Sequence, residues 1–294
     1  MNAALALLPD FLLILLGLGL RQALRLGDHF WQGVEKLVYF VLFPALLFNA
    51  LAKASLSWSL AMPLIMSGAA TMVAGLLLAA MARRFSALSP MAFASQIQCA
   101  FRFNSYIGFA VAAKLHGTAG LAAMGLLTGA MVPLANLAAV SLLAKHGGQG
   151  IWRELLKNPL VLATVAGLAW NGLGWNLPVP VGQLLGRLAE AAIALGLLSV
   201  GAALRLRGIS RGYGTSIWFL LVKLLGLPLV TILLAPVLGL TGIYADIALA
   251  WAALPAASSA YILAQRMGGD GPGVAWLISA STLAAMVTLP LWLA

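Results

Sequence analysis

The segment FRFNSYIGFA, residues 101–110, places an arginine, an asparagine, a serine and a tyrosine inside a long apolar stretch. The composition predicts a membrane interior around it, because 63% of the residues are hydrophobic and 8% are charged, against about 25% charged in soluble domains. Polar groups are costly at that depth, and freed backbone groups are tolerated only where they are buried in protein or line a cavity. We therefore interpret this segment as a helix interruption at a functional site.

Ten apolar runs are long enough to cross a bilayer, which takes roughly 17–25 residues. They lie at residues 4–20, 32–52, 58–82, 90–115, 118–144, 158–176, 180–204, 212–238, 243–266 and 272–293. The first run lacks a basic leader and contains Pro9 and Asp10, so we interpret it as a spanning helix and not as a cleaved signal peptide. The sequence predicts an all-α membrane protein without a soluble domain.

The positions of lysine and arginine predict the orientation, because cytoplasmic loops carry an excess of these residues. With the N-terminus outside, inner loops carry twelve of the 17 basic residues: Arg21, Arg25, Lys36, Arg83, Arg84, Lys145, Arg153, Lys157, Arg205, Arg207, Arg211 and Arg266. Outer loops carry Lys53, Lys114 and Arg187. Both termini are therefore expected outside. This scatter of single cations also explains the net charge of +10 without a nucleic-acid partner.

The chain contains a weak internal repeat. A shift of 150 or 151 positions aligns Pro9 with Pro159, Gly17 with Gly167, Ala52 with Ala203, Gly117 with Gly268 and Gly120 with Gly271. Residues 1–145 and 146–294 are each predicted to form a five-helix repeat. Because five is odd, the second copy must be inverted in the membrane. Inverted repeats are typical of secondary transporters, whose site lies at the midplane between the copies.

The 151-position shift aligns the opening segment with residues 252–261, which overlap the stretch ALPAASSAYI. Asn104 aligns with Pro255, and a proline lacks an amide donor and clashes with the preceding helical turn. The fourth and ninth helices are therefore predicted to be broken at the same point. The half-helix after each break directs its N-terminal amides, which carry partial positive charge, at the cavity.

Two cations, Arg102 and Lys223, lie deep in predicted helices, whereas all seven acidic residues lie near segment ends. A cation at that depth costs at least about 2.5–3.5 kcal/mol on insertion scales. Two deep cations without a deep acid, beside two helix N-termini, favour an anion site. The structural alternative is that either side chain binds carbonyls released by the breaks or extends to the membrane surface.

Neighbouring polar residues complete the predicted site. Asn136 follows Pro133 in the fifth helix, where an interhelical hydrogen bond is the alternative role. The predicted substrate-binding residues are Arg102, Asn104, Ser105, Tyr106, Asn136, Pro255, Ser258 and Ser259, and Lys223 is a candidate charge or coupling site.

Several function classes are disfavoured by the residues present. The patterns HExxH, GxSxG and GxxxxGK[ST] are absent, no metal-ligand spacing occurs, and Cys99 is the single cysteine. We therefore expect no cofactor, no metal, no ATP-driven step and no enzyme. A channel is also disfavoured, because crossing broken helices close a barrier at the midplane and leave no continuous pore.

Seven stretches carry a resemblance to a known family: FPALLFNAL, RFNSYIGFAVAAKLHGTAG, VPLANLAAV, NPLVLATVAG, ALGLLSVGAAL, LPAASSAYILAQRMGGD and STLAAMVTLP. In this order they resemble the auxin efflux carrier family, which includes bacterial malate-type permeases and the plant PIN carriers. The resemblance implies ten helices in two inverted repeats, with helices four and nine broken and crossing. It also implies an elevator mechanism, in which segments one, two, six and seven form a dimeric scaffold and the others carry substrate.

The resemblance assigns Asn104 and Asn136 to the family's binding asparagines and Pro255 to the proline of the second crossing. One departure is that segment 58–82 contains no acidic residue, whereas the plant carriers have one there. Plant-type substrate and coupling are therefore not transferred to this chain.

The sequence thus predicts a secondary carrier for a small organic anion, such as a carboxylate, in the lipid bilayer of a bacterial inner membrane. We expect a homodimer. Two alternatives remain: a membrane sensor or receptor that binds a ligand in the same pocket, and a sodium-coupled symporter of the bile-acid-transporter type.

Overall fold

All secondary structure described by the computed structural model is helical, in residues 3–54, 58–143, 158–205 and 212–294. The N-terminal half contains α1 (Ala3–Ala23), α2 (Asp28–Leu37), α3 (Phe43–Ala52), α4 (Trp58–Ala80), α5 (Pro90–Gln96) and α6 (Ser105–Leu143). The C-terminal half contains α7 (Pro159–Gly172), α8 (Val179–Ala202), α9 (Tyr213–Leu221), α10 (Leu227–Val237), α11 (Gly242–Ala253), α12 (Ser259–Arg266) and α13 (Gly271–Trp292). The predicted repeat boundary at 145/146 lies outside the described residues.

Short non-α turns join several of these helices into longer rods. The π-helical turns Val38–Leu42 and Val222–Gly226 connect α2 to α3 and α9 to α10. The 3-10 turns Met81–Arg84 and Ile97–Ala100 extend α4 and α5. The two π-helical turns thus make continuous rods out of helices that are individually too short to cross a bilayer.

Six helical stretches of the described chain are long and apolar enough to cross a membrane. They are Asp28–Ala52, Ser59–Arg84, Pro90–Leu143, Val179–Ala202, Tyr213–Val237 and Gly271–Trp292. Two further apolar helices, α7 and α11, are shorter. The stretch Pro90–Leu143 is too long for one crossing and is bent at His116 and Gly117, where Gly117 has a φ of 52°. The protein is therefore an integral membrane protein, and the count of ten segments stays a prediction.

The two predicted helix interruptions are confirmed by the helix bounds. Residues 101–104 are non-helical between the 3-10 turn after α5 and the start of α6. Residues 254–258 separate α11 from α12. The flanking pieces, such as α11 with 12 residues and α12 with 8, are shorter than the ~20 residues of a full crossing.

Helices α1, α3, α7 and α8 pack as one group. In this group Gly17 of α1 lies against the backbone of Leu198 in α8, and Gly167 of α7 lies 3.2 Å from the Phe48 carbonyl oxygen of α3, measured from an ideal Cβ. Gly17 and Gly167 are 150 positions apart, and so are Phe48 and Leu198. The same contact is therefore made twice with its partners exchanged.

A second group contains the two interruptions. Helix α11 packs against α6, α10 and α4, and α13 packs against α5, α11 and α12. The α6 helix also touches α3, α7 and α8 of the first group. We call the two interruptions, residues 101–104 and 254–258, together with the helix ends beside them, the crossing. The crossing thus lies inside the second group, close to its boundary with the first.

Contacts between the ends of helices agree with the predicted assignment of the loops to the two sides of the membrane. Asp28 pairs with Arg21 and Arg205, all predicted on one side. His116 Nε2 lies 2.8 Å from Asp246 Oδ2, both predicted on the other side. Which of these sides faces the cytoplasm stays a prediction.

The glycine contact between α1 and α8 provides a stability test. An added Cβ at Gly17 would overlap the Leu198 carbonyl, whereas at Gly19, one half-turn away, nothing lies within 4 Å. Overpacking of this kind costs about 1–3 kcal/mol. We expect Gly17→Ala to lower the thermal unfolding temperature in detergent and Gly19→Ala to leave it unchanged or raise it. Equal unfolding temperatures for the two variants would contradict this close approach.

Candidate functional site

The two interruptions meet at one backbone hydrogen bond. The Asn104 N–H donates to the Pro255 carbonyl oxygen at 3.0 Å. Both interruptions are buried, with Asn104 2% and Leu254 0% exposed. The aligned residues of the repeat are thus in direct contact, and their freed backbone groups are enclosed in protein as the membrane interior requires.

Asn104 forms the N-terminal cap of α6. Its side-chain Oδ1 accepts hydrogen bonds from the backbone N–H groups of Tyr106 at 3.1 Å and Ile107 at 3.3 Å. Since both partners can only donate, the orientation of the amide is determined, and Nδ2 is the remaining group. That Nδ2 is buried without a hydrogen-bond partner. Buried polar groups are usually hydrogen-bonded, so this amide is available to donate to a bound group.

Arg102 connects three parts of the chain. Its Nη2 donates to Asn136 Oδ1 on α6 and to Ser259 Oγ on α12, both at 2.9 Å, and its Nη1 reaches Gln98 Oε1 at 3.4 Å. The side chain is 7% exposed. Because guanidinium only donates, the Asn136 amide must also present its oxygen to Arg102 and direct Nδ2 elsewhere.

The two serines after Pro255 have different environments. Ser259 is exposed and accepts from Arg102. Ser258 is partly buried, and its Oγ is enclosed without a partner. A second unpaired polar group, the Ser258 hydroxyl, therefore lies at the start of α12, beside the interruption.

Ser105 and Tyr106 begin α6 and are partly buried. The Tyr106 ring packs edge-on against Phe43 of α3, with centroids 4.8 Å apart. A Cβ at Gly196 of α8 would lie 2.8 Å from Tyr106 Cδ1. Tyr106 thus forms the contact between the crossing and the α1, α3, α7 and α8 group.

Lys223 lies in the π-helical turn Val222–Gly226 and is 1% exposed. Its Nζ donates to the Ala252 carbonyl oxygen at 3.3 Å and lies 5.9 Å from the Trp251 ring centroid. The structural alternative, a bond to a carbonyl released by a break, is therefore observed for Lys223. For Arg102 the observed partners are side-chain oxygens instead.

Sequence reasoning missed a polar cluster at the other end of α5. Gln96 Nε2 donates to Asp270 Oδ2 at 2.7 Å, and Gln96 Oε1 accepts from Ser216 Oγ at 2.9 Å. Asp270 also caps α13, because its Oδ1 accepts from the Gly273 N–H at 2.9 Å. The Asp270 backbone N–H in turn donates to Ser95 Oγ at 3.0 Å. No sequence spacing links Gln96 to Asp270, which lies 174 positions away.

A groove of about 280 Å³ lies between α10 and α11. It is lined mainly by apolar side chains with Thr231 and Asp246, and it contains none of the predicted site residues.

Several side chains at the crossing have hydrogen-bond donors available. The described donors are Asn104 Nδ2, Asn136 Nδ2, the Ser258 hydroxyl and the Arg102 guanidinium, next to the N-termini of α6 and α12. Helix N-termini favour negative charge. Such an arrangement can bind an anion.

Comparison with known proteins identifies transporters. Residues 148–293 match a family model described as membrane transport protein. An uncharacterized transporter of Methanothermobacter thermautotrophicus is 28% identical, covering 99% of this chain and 98% of that protein. A candidate malonate transporter of Rhizobium meliloti is 30% identical over 48% of this chain and 44% of its own length. Auxin efflux carrier component 7 of Arabidopsis thaliana is 26% identical over 47% of this chain and 23% of its own length.

The cap at Asn104 provides a test of the site's construction. Replacing an N-cap asparagine by alanine costs about 0.5–2 kcal/mol, whereas aspartate keeps the acceptor oxygen. We expect Asn104→Ala to lower the thermal unfolding temperature in detergent and Asn104→Asp to retain most of it. If the alanine variant unfolds at the parental temperature, the Asn104 side chain does not stabilise α6.

Proposed function

We propose a substrate class and a mechanism for this chain, which belongs to the auxin efflux carrier family of membrane transport proteins. It is a secondary carrier for a small organic anion such as a carboxylate. The observation that carries the proposal is the buried, unpaired Asn104 Nδ2 at the crossing. A carboxylate supplies the acceptor that this donor lacks, and hydrogen bonds to an ionised acceptor are about twice as strong as neutral ones.

The remaining predicted residues have distinct roles in this proposal. Asn136 Nδ2 and the Ser258 hydroxyl donate to the substrate, together with Asn104. Arg102 supplies positive charge and holds Asn136 and Ser259 in place through its two 2.9 Å bonds. The malonate named for the Rhizobium meliloti relative is a dicarboxylate of suitable chemistry.

The proposed architecture is ten helices in two inverted repeats, residues 1–145 and 146–294. The exchanged contact pairs Gly17–Leu198 and Gly167–Phe48 support it, because a two-fold operation brings residue i to j and j to i. The Asn104–Pro255 bond supports it as well, since these two residues are 151 positions apart and bind each other.

An elevator mechanism accounts for the two packing groups. The group of α1, α3, α7 and α8 is the proposed scaffold and dimer interface. The group that contains the crossing is the proposed carrier unit. Tyr106, packed on Phe43 and next to Gly196, lies where these units would slide. The proposed location is a bacterial inner membrane with both termini outside.

Exchange of radiolabelled malonate across proteoliposome membranes tests the proposal. We expect the parental protein to exchange external for internal malonate and Asn104→Asp to reduce the rate at least tenfold. The aspartate keeps the cap of α6 but removes the donor and places negative charge against the substrate carboxylate.

A matched control is Asn158→Asp. Asn158 also caps a helix, with Oδ1 accepting from the Leu160 N–H at 2.9 Å, but it lies outside the crossing, so exchange should continue at the parental rate. Equal loss in both variants, or none in Asn104→Asp, would refute the site. Malonate binding without any exchange in the parent would instead favour the sensor alternative.

A further inference from the structure

Lys223 is a buried lysine with no acidic partner among the described residues. It is 1% exposed, and none of the ion pairs found among the described residues includes it. A charge in this position requires compensation from its surroundings. The compensating groups define its role.

The first compensating group is the C-terminal end of α11. This helix ends at Ala253, and Leu254 is extended with φ −60° and ψ 146°. The carbonyls of the last helical turn therefore have no following amides to bind, and they carry the negative end of the helix dipole. Lys223 Nζ donates to one of these carbonyls, that of Ala252.

The second compensating group is aromatic. The Lys223 ammonium lies over Trp251, and the Trp251 ring contacts Phe103 with centroids 4.8 Å apart. Phe103 belongs to the first interruption and Trp251 precedes the second. The aromatic pair Trp251 and Phe103 therefore links the ammonium to both interruptions.

The backbone around Lys223 departs from α-helical geometry. The π-helical turn Val222–Gly226 contains one residue more than an α-helical turn and joins α9 to α10. Such turns are frequent at functional sites. The repeat-equivalent position, 151 residues earlier, is Met72, which is buried and uncharged. Only one of the two halves therefore carries an ammonium at this place.

Carriers with broken helices bind their coupling cations at unwound carbonyls and at the C-terminal ends of half-helices. We propose that the Lys223 ammonium is a resident cation, fixed at the place where such a carrier would bind sodium, so that transport by this chain needs no sodium. This inference rests on the proposed function for its transport consequence. The charge itself is an inference from the contacts of Lys223 alone.

Thermal unfolding of the purified protein in detergent tests the charge separately from transport. The variants are Lys223→Met, which keeps an apolar side chain of similar reach, and Lys223→Ala, which leaves a vacant space. Each is melted in sodium, choline or ethylammonium chloride at equal concentration. The matched control is Lys53→Ala, because Lys53 is exposed.

We expect the parent and Lys53→Ala to melt at the same temperature in all three salts. Lys223→Ala should melt several degrees lower in choline and recover most of that loss in ethylammonium or sodium, which fit the vacant space. Lys223→Met should stay low in every salt, because its side chain excludes a replacement ion. A merely space-filling role predicts the opposite result, with Lys223→Met melting like the parent, and would overturn the proposal.

The transport arm measures parental malonate exchange in sodium and in choline. Equal rates are expected, and a rate or unfolding temperature of the parent that rises with sodium would overturn the resident cation. If Lys223→Ala does not fold, the comparison of Lys223→Met with the parent still decides. Absence of malonate exchange in both salts would refute the proposed function, while the unfolding data would continue to report on Lys223.

Discussion

The hydrogen bond from the Asn104 N–H to the Pro255 carbonyl is the contact on which the site depends. Two helices stop inside a chain whose composition requires a lipid environment, and every stop releases backbone donors and acceptors. In hydrocarbon each unsatisfied group costs several kcal/mol. The fold tolerates the two stops because they face each other and because protein encloses both of them. Breaking only one helix would leave its freed groups without this partner.

The other freed groups are satisfied by the side chains that make the site polar. Asn104 Oδ1 caps α6, Ser281 Oγ accepts from the Ala256 N–H at 3.1 Å, and Lys223 binds the Ala252 carbonyl. A membrane interior offers no water for these tasks, so structural need alone brings polar residues to the midplane. Recognition then falls to what those residues have left over. In the proposed site, Asn104 uses its oxygen for the cap and would offer its amide hydrogens to a ligand, and Asn136 uses its oxygen for Arg102 in the same way.

The sequence was sufficient to locate the breaks but not to assign partners. Pro255 and the polar run beginning at Arg102 mark the interruptions, because the rules for proline and for membrane backbone are local. The partners of Arg102 depend on how α6 and α12 approach each other, which no spacing records. The Gln96–Asp270 bond joins residues 174 positions apart, and the π-helical turn at Lys223 contains no proline that would signal it. Local chemistry is readable from one chain, whereas contacts set by packing are not.

In the proposed repeat, equivalent contacts at the ends of the broken helices are made by different residues in the two halves. Ser95 and Asp246 are 151 positions apart, and each contacts the loop that follows the partner half-helix. Ser95 does so through its hydroxyl and the Asp270 amide, and Asp246 through the His116 imidazole. In inverted halves these equivalent ties would lie on opposite membrane faces, where the aqueous phases differ. The two halves need to share only the position of this contact, so the residues that make it can differ. Residues at equivalent positions of the proposed repeat can therefore differ, as Lys223 and Met72 do. Two halves with similar backbones need not carry two equal sites.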